Sequence, residues 1–186
     1  MHISTKMKKN IEDTIEIPEN MNVEVSGNQV IVKSSGKEAK RVFGLAKITM
    51  TKEGNKIKLE SKNATKKEAT LLGTCAAHIR NMIQGMKEDF VYKLEVCNVH
   101  FPMTVKVEGK TVVIKTFLGE VDDRIANIVD GSKVEIKGKD ITVSSFNKEA
   151  AGQTAANIET ATKVTGRDRR VFQDGIFITE KCGKAI

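Results

Sequence analysis

The chain carries one sequence pattern twice, and this duplication limits the folds that it can adopt. The eleven residues from Val23 to Lys33 align without a gap with Val105 to Lys115, and valine, glycine and lysine recur at matching places. The similarity continues from Lys47–Ser61 to Lys133–Ser145. A repeat of about eighty residues exceeds the roughly 20 to 50 residues of a solenoid unit, and it is long enough to bury a small core of its own. The sequence therefore predicts two similar domains in tandem.

We place the domain boundary between Gly85 and Phe90, so the predicted domains are 1–87 and 88–186. Within each repeat, short runs alternate apolar and polar residues, which is typical of strands with one face on a core. Glycine followed by Asn or Lys separates these runs and favours tight hairpins. Two hairpins per repeat are predicted, with turns at Gly27, Gly54, Gly109 and Gly138.

A change of hydrophobic period predicts one helix in each repeat. Apolar residues from Ala69 to Met86 fall three and four apart, the spacing of an amphipathic helix. We expect this helix from about Thr65 to Gln84, with Gly85 near its end, and a second from about Asn147 to Val164. The predicted fold class is α+β, with each domain a mainly antiparallel sheet and one helix packed on one face.

Further extended segments are predicted outside the hairpins. Each repeat opens with one that ends at a proline, Thr14 to Pro18 and Tyr92 to Pro102. A final strand is expected from Gly175 to Glu180, after a segment that has no counterpart in the first repeat.

Net charge favours a polyanionic partner. The formal net charge is +7, while charged residues of both signs make up 30% of the chain, which is more typical of a folded basic protein than of a disordered tail. No apolar run approaches the roughly 18 residues of a membrane helix, and no signal peptide is indicated. Three cysteines without CxxC spacing do not suggest a disulfide framework. We therefore expect a cytoplasmic protein without a membrane partner.

Motifs of common enzymes are absent from the sequence. It contains no phosphate-binding GxxxxGK[ST], no GxGxxG after a strand, no nucleophile elbow and no HExxH. Cys75-x-x-His78 and Cys97-x-x-His100 supply two thiolates and two imidazoles, a set that tetrahedral zinc accepts. Buried free cysteines with boundary histidines explain the same pattern, and we favour that interpretation. No metal, no cofactor, no small-molecule substrate and no catalytic residue is predicted.

The segment from Lys163 to Lys184 is the candidate for binding. Three arginines fall within four residues, beside a glycine whose backbone can approach another chain closely, and arginine presents a planar set of donors to phosphate oxygens. Asp168 can orient one arginine by an ion pair, and Phe172 or Phe177 can pack on a sugar or anchor the loop in the core. A solvated charged loop remains an equal alternative. Aromatics make up only 4% of the chain, so shape and phosphate contacts fit better than a stacking platform.

Four motifs, in order and spacing, resemble the large-subunit ribosomal protein six family. They are IPEN (Ile17 to Asn20), HIRNMIQGM (His78 to Met86), FLGE (Phe117 to Glu120) and GRDRRVFQDGIFITEK, which begins at Gly166. The similarity runs from about Ile15 to Lys181 and is nearer to the archaeal and eukaryotic branch. The tract Leu59 to Ala69 departs from eukaryotic relatives, which favours an archaeal source.

The resemblance implies a duplicated fold and a structural component of the ribosome without enzymatic activity. It implies binding to large-subunit rRNA, mainly through the second domain, near the sarcin-ricin loop and the stalk base where translation factors dock, with ribosomal proteins as neighbours. For this chain, the resemblance implies that the loop that ends at Gly175 contacts RNA. Residues near the start of the second helix are weaker candidates. The implied residues are Lys163, Arg167, Arg169, Arg170, Gln173 and Gly175, with Ser145, Asn147 and Lys148 as the weaker set.

Two other function classes remain open from the residues alone. A cytosolic tandem module could use two similar surfaces to bind proteins, and it would stay soluble where a ribosomal protein sediments with large subunits. An enzyme ranks third, because no nucleophile accompanies the possible histidine bases.

Overall fold

The computed structural model describes residues 9–18, 20–34, 36–44, 47–99, 101–115 and 117–186. The chain divides into two compact units, Met1–Lys87 and Glu88–Ile186, the N-terminal unit and the C-terminal unit. Each unit contains one long helix, and the described strand pairs are antiparallel. The predicted α+β class with two duplicated domains is confirmed.

Six strands followed by a helix occur in the same order in both units, and the C-terminal unit adds a 3₁₀ turn and two further strands. The N-terminal unit contains β1 (Lys9–Glu16), β2 (Asn22–Ser26), β3 (Gln29–Ser34), β4 (Lys37–Val42), β5 (Thr49–Glu53), β6 (Lys56–Ala64) and α1 (Lys66–Lys87). The C-terminal unit contains β7 (Phe90–Cys97), β8 (Thr104–Glu108), β9 (Thr111–Lys115), a 3₁₀ turn (Phe117–Gly119), β10 (Arg124–Asn127), β11 (Lys133–Lys137), β12 (Asp140–Ser145), α2 (Lys148–Ala161), β13 (Gly175–Lys181) and β14 (Lys184–Ala185).

Strand order repeats between the units. The N-terminal unit has sheets of order β1-β6-β5 and β2-β3-β4, and the C-terminal unit has the matching neighbours β7-β12-β11 and β8-β9-β10. The C-terminal unit adds β13 beside β7, followed by β14, so that its larger sheet runs β11-β12-β7-β13-β14. The added strand places the end of the unmatched segment directly against the core of this unit.

All four predicted hairpins are confirmed, joining β2 to β3, β5 to β6, β8 to β9 and β11 to β12. Gly27 and Gly109, at equivalent places in the two repeats, have φ of +58° and +61°, a conformation that residues with a Cβ rarely adopt. The predicted final strand is confirmed as β13, and the short β14 was not predicted.

Helix α1 extends beyond its predicted end, because Gly85 lies within the helix and does not cap it. Gly85 is buried within the helix, which continues to Lys87. At the other end, the backbone N–H of Thr65 donates to Glu68 Oε2 at 2.8 Å, the reciprocal contact of a capping box. The predicted apolar stripe is otherwise confirmed, since Leu72, Ile79 and its neighbours on that face are buried.

Helix α2 is shorter than predicted at its C-terminal end. Asn147 caps its start by accepting from the N–H of Glu149 at 3.0 Å. The helix ends at Ala161 rather than near Val164, and Thr162 is its C-cap. This early end releases Lys163 from the helix and makes it the first residue of the following loop.

The core of the C-terminal unit lies between α2 and its two sheets. Helix α2 contacts β7, β12, β13 and β10. Ile158 of α2 is fully buried with Leu94, Ile141 and Ile176 from three neighbouring strands. Because these strands and the helix share one core, the segment between α2 and β13 has both of its ends fixed.

Strand β1 is the outer strand of its sheet among the described residues. Its half-buried positions Ile11 and Asp13 and its buried Ile15 share one face, and Asp13 accepts two hydrogen bonds from Arg80 of α1, each 2.8 Å long. A carboxylate thus occupies a position on the apolar face of this edge strand.

Replacing Gly152 with alanine is expected to destabilise the C-terminal unit by about 1 kcal/mol. In most helices the same substitution is stabilising, because alanine has a higher helix propensity than glycine. A Cβ at Gly152 would lie 3.0 Å from the hydroxyl oxygen of Tyr92 and 3.4 Å from its Cζ. Tyr92 is buried, and burial together with its hydrogen bond to Cys182 raises its pKa to about 12. Urea unfolding followed by circular dichroism measures the change.

Gly73 provides the matched control, because it lies in α1 with open space around the Cβ position. Gly73→Ala is expected to stabilise its unit by about 1 kcal/mol. In a Tyr92→Phe background, which lacks the obstructing hydroxyl, Gly152→Ala should cost less than in the wild type. Equal stabilisation by both glycine substitutions would contradict the packing argument.

Candidate nucleic-acid interface

Residues 163–174, the basic loop, connect α2 to β13 in the C-terminal unit. At its start, the buried Thr162 hydroxyl accepts a hydrogen bond from the N–H of Ile176 at 2.9 Å and donates to the carbonyl of Glu159 at 3.2 Å. The hydroxyl therefore ties the end of the helix to the beginning of the next strand. This contact brings the two ends of the basic loop together.

Asp174 fixes the end of the basic loop from within the protein. Its side chain is only 1% exposed, and its carboxylate accepts hydrogen bonds from the N–H groups of Val99 at 2.7 Å and Phe101 at 3.2 Å. The carboxylate thereby connects the basic loop to the segment that follows β7. A buried carboxylate held in this way has a structural role.

Asp168 organises the turn in the middle of the basic loop. Its Oδ1 accepts from the backbone N–H of Arg170 at 3.0 Å, and its Oδ2 accepts from Arg170 Nη2 at 2.9 Å. Its carbonyl accepts from the N–H groups of Val171 and Phe172. The hydrogen bonds from Arg170 lower the pKa of Asp168, so this carboxylate stays charged at neutral pH. The prediction that Asp168 orients one arginine is confirmed.

The cationic side chains of the basic loop point to solvent. Lys163, Arg167, Arg169 and Arg170 are all exposed, and the Arg170 side chain is 90% exposed despite its ion pair. Arg167 lies over the ring of Phe172 with its guanidinium carbon 4.9 Å from the ring centroid, a favourable cation–π geometry. Four cations are thus displayed on a loop whose backbone is held by internal contacts.

Phe172 anchors the loop to the protein, whereas Phe177 remains more accessible. Phe172 is half-buried against the core of the C-terminal unit. The ring of Phe177 on β13 is 37% exposed. Both rings, together with Lys163, Arg169 and Gln173, line a groove of about 650 Å³ beside the loop.

Gln173 and Gly175 differ in their access to a ligand. Gln173 is exposed, and its Nε2 donates to the carbonyl of Arg170 at 3.1 Å. Gly175 is buried, and a Cβ there would lie 3.1 Å from the ring of Phe177. Gly175 therefore serves packing at the start of β13, and its absent side chain is explained without a ligand.

The weaker candidates, Ser145, Asn147 and Lys148, lie at the opposite end of α2 from the basic loop. A helix of 14 residues separates them by about 20 Å at 1.5 Å per residue. Ser145 is buried, donates to the carbonyl of Gly131 at 2.7 Å and accepts from the N–H of Asn147. The Nζ of Lys148 lies over the ring of Phe90, 5.6 Å from the ring centroid. The structure thus does not gather all the predicted residues into one site.

Arg124 contacts the start of the basic loop, although it was not among the residues predicted from the sequence. Its Nη1 donates to the carbonyls of Ala161 at 2.9 Å and Lys163 at 3.2 Å. Its Nε and Nη2 donate to the two carboxylate oxygens of Glu120 at 2.8 and 2.7 Å. Glu120 ends the FLGE motif, and this motif was the available signal for the contact.

The two Cys-x-x-His pairs belong to different units of the chain. Cys75 and His78 lie in the N-terminal unit, Cys97 lies in the C-terminal unit, and His100 is outside the described residues. Burial raises the pKa of both cysteines. No group of three or more potential ligands occurs in the described part of the chain.

Within the described residues, neither helix is long and apolar enough to span a membrane.

Comparison with known proteins gives one consistent family. The family model described as ribosomal protein L6 matches residues 17–89 and 101–175, once in each repeat. The large ribosomal subunit protein uL6 of Methanococcus vannielii is 48% identical over 95% of this chain and 97% of its own length. The proteins of the same name from Methanobrevibacter smithii and Methanosarcina mazei are 45% and 43% identical, over 92% and 94% of this chain and 96% and 99% of their own lengths.

These relatives are archaeal and are named as ribosomal proteins rather than as enzymes. The predicted resemblance to the large-subunit ribosomal protein six family, in its archaeal and eukaryotic branch, is confirmed, and so is the prediction of a non-enzymatic role. Since the match covers both repeats and nearly the whole chain, the chain belongs to the ribosomal protein L6 family.

Proposed function

We propose that the protein is a structural component of the large ribosomal subunit and binds its rRNA mainly through the basic loop of the C-terminal unit. The relatives are named as large ribosomal subunit proteins. These names support assembly of this protein into the large subunit and its location in the cytoplasmic ribosome. The observation that carries the binding proposal is the display of Lys163, Arg167, Arg169 and Arg170 on one anchored loop.

Phosphate oxygens are the ligands that suit this loop. Arginine donates in pairs to phosphate, and a loop already fixed by Thr162, Asp168 and Asp174 loses little conformational entropy on binding. Such contacts recognise the shape of folded RNA rather than its base sequence. Gln173 adds an amide that can reach sugar or base edges, while Gly175 and Ser145 support the fold behind the interface.

Location within the subunit is the finer part of the proposal. The resemblance implies rRNA near the sarcin-ricin loop and the stalk base, with ribosomal proteins as neighbours and translation factors docking nearby. Chemical footprinting of large-subunit rRNA with and without the protein tests this location. Protection of the sarcin-ricin region is the expected result, and protection confined to other helices would contradict it.

Replacing Arg169 and Arg170 together with alanine is expected to weaken binding to large-subunit rRNA at least tenfold at moderate salt. The slope of log affinity against log salt is negative, and each phosphate that the protein no longer neutralises reduces its magnitude by about 0.9 for a duplex. The magnitude of the slope should therefore fall by about two. Filter binding to transcribed rRNA over a range of salt concentrations measures both quantities.

Lys133 and Lys137 supply the matched control, since both are exposed on β11, three strands away from β13 in the same sheet. Lys133→Ala with Lys137→Ala removes the same formal charge but should leave the salt slope nearly unchanged. Equal slopes for the arginine variant and the wild type would show that these arginines do not contact phosphates. Failure of the wild-type protein to sediment with large subunits would instead favour a soluble interaction module.

A further inference from the structure

Arg124 connects two parts of the C-terminal unit that are distant in sequence. It is the first residue of β10, and its side chain is 23% exposed. One face of its guanidinium lies over the ring of Phe117, 4.2 Å from the ring centroid. Its position is therefore set by a ring contact as well as by hydrogen bonds.

The hydrogen bonds of Arg124 use both sides of the planar group. Nε and Nη2 bind the carboxylate of Glu120 in a bidentate pair, and Nη1 binds the carbonyls of Ala161 and Lys163. Carbonyls at the C-terminal end of a helix have no partner within the helix, and a cation is favourable there. Arg124 thus satisfies the end of α2 and fixes the backbone of the first cation of the basic loop.

Glu120 links the same cluster to a second cation of the loop. The hydrogen bond from Arg124 lowers the pKa of Glu120 most, and the charge of Arg167 lowers it further. Glu120 therefore lies within electrostatic reach of both arginines. A lysine could not replace Arg124 here, because an ammonium lacks the planar arrangement of donors that serves carboxylate and carbonyls together.

We propose that Arg124 and Glu120 form a positioning pair for RNA binding, which fixes the backbone of the basic loop at Lys163 without contacting RNA. This inference rests on the proposed function of the basic loop. It assigns a role to the FLGE motif and to a cation that lies outside the loop. The alternatives are that Arg124 is itself a phosphate ligand, or that the pair stabilises the fold only.

Glu120→Gln separates positioning from simple electrostatics by the sign of its effect. Removing a negative charge beside a cationic interface should strengthen binding if charge alone matters. Positioning predicts the opposite, a loss of affinity of about tenfold for large-subunit rRNA, because the loop must be ordered on binding. Tighter binding by Glu120→Gln would overturn the proposal.

Arg124→Gln tests whether the residue contacts RNA, because this substitution removes the charge and keeps an amide hydrogen-bond donor. We expect about a tenfold weaker affinity with an unchanged salt slope, since the number of phosphate contacts is the same. A slope reduced by about one would identify Arg124 as a phosphate ligand and would overturn the proposal. Gly152→Ala, which lies away from the loop in α2, controls for lost stability, and equal affinity losses in both variants would reduce the pair to a structural role.

The arginine variant described above distinguishes failure of this inference from failure of the proposed function. If Arg169→Ala with Arg170→Ala weakens binding but Glu120→Gln and Arg124→Gln do not, the loop binds RNA and the positioning pair is wrong. If the double arginine variant binds like the wild type, the site itself is wrong.

Discussion

Replacing Ile158 with alanine is expected to destabilise the C-terminal unit by about 4 kcal/mol, the usual cost of emptying a fully buried aliphatic site. Ile158 is 0% exposed and lies in the core between α2 and the strands of the C-terminal unit. The destabilisation combines the transfer of the removed methylene and methyl groups with the cavity left behind. Urea unfolding monitored by circular dichroism gives the change in the free energy of unfolding.

The duplication supplies a matched partner for this experiment. Ile79 ends the equivalent Ala-Ala-x-Ile sequence in α1 and is also 0% exposed. Ile79→Ala should cost the N-terminal unit a similar amount, whereas the two variants should differ in RNA binding. On heating, Ile158→Ala should lose its affinity for large-subunit rRNA at a lower temperature than Ile79→Ala. The reverse order would place the main RNA contact in the N-terminal unit.

Replacing Asp174 with alanine is expected to cost about 3 kcal/mol. The substitution leaves the N–H groups of Val99 and Phe101 without their acceptor, and an unsatisfied, partly buried donor costs about 1–3 kcal/mol. Asp174→Asn should cost roughly half as much, because its carbonyl oxygen can still accept from one N–H while its amide nitrogen faces the other. Urea unfolding again provides the measurement.

Asp168→Asn is the control for this prediction, since Asp168 is an exposed carboxylate in the same loop. Its hydrogen bonds to Arg170 are solvent-accessible, so the free energy of unfolding should change by less than about 0.5 kcal/mol. If Asp174→Ala unfolded at the same urea concentration as Asp168→Asn, the carboxylate of Asp174 would not support the loop as its geometry indicates.

Local sequence patterns predicted the elements of the fold well, because hairpins and amphipathic helices depend on neighbouring residues. The turns at Gly27 and Gly109 follow from glycine between two alternating runs. The ends of the helices were less accurate. Gly85 is ambiguous in sequence between a helix cap and a residue within the helix, and the end of α2 depends on Thr162 binding the distant Ile176.

In the candidate site, too, the local features could be predicted from the sequence and the long-range contacts could not. The arginines of the basic loop and the ion pair of Asp168 with Arg170 are adjacent in sequence and could be predicted from it. The contacts that hold the loop are not local: Asp174 binds a backbone N–H 75 residues away, and Arg124 binds carbonyls 37 and 39 residues away. No periodicity or composition marks such pairs.

The edge of the N-terminal sheet has a consequence for the protein before it joins its partners. In the C-terminal unit β13 covers the free side of β7, whereas β1 has no such neighbour among the described residues. An uncovered strand can pair with another molecule and begin aggregation. Burying Asp13 and Arg80 against a second copy would strip water from their charges. We therefore expect this ion pair to keep newly made chains monomeric.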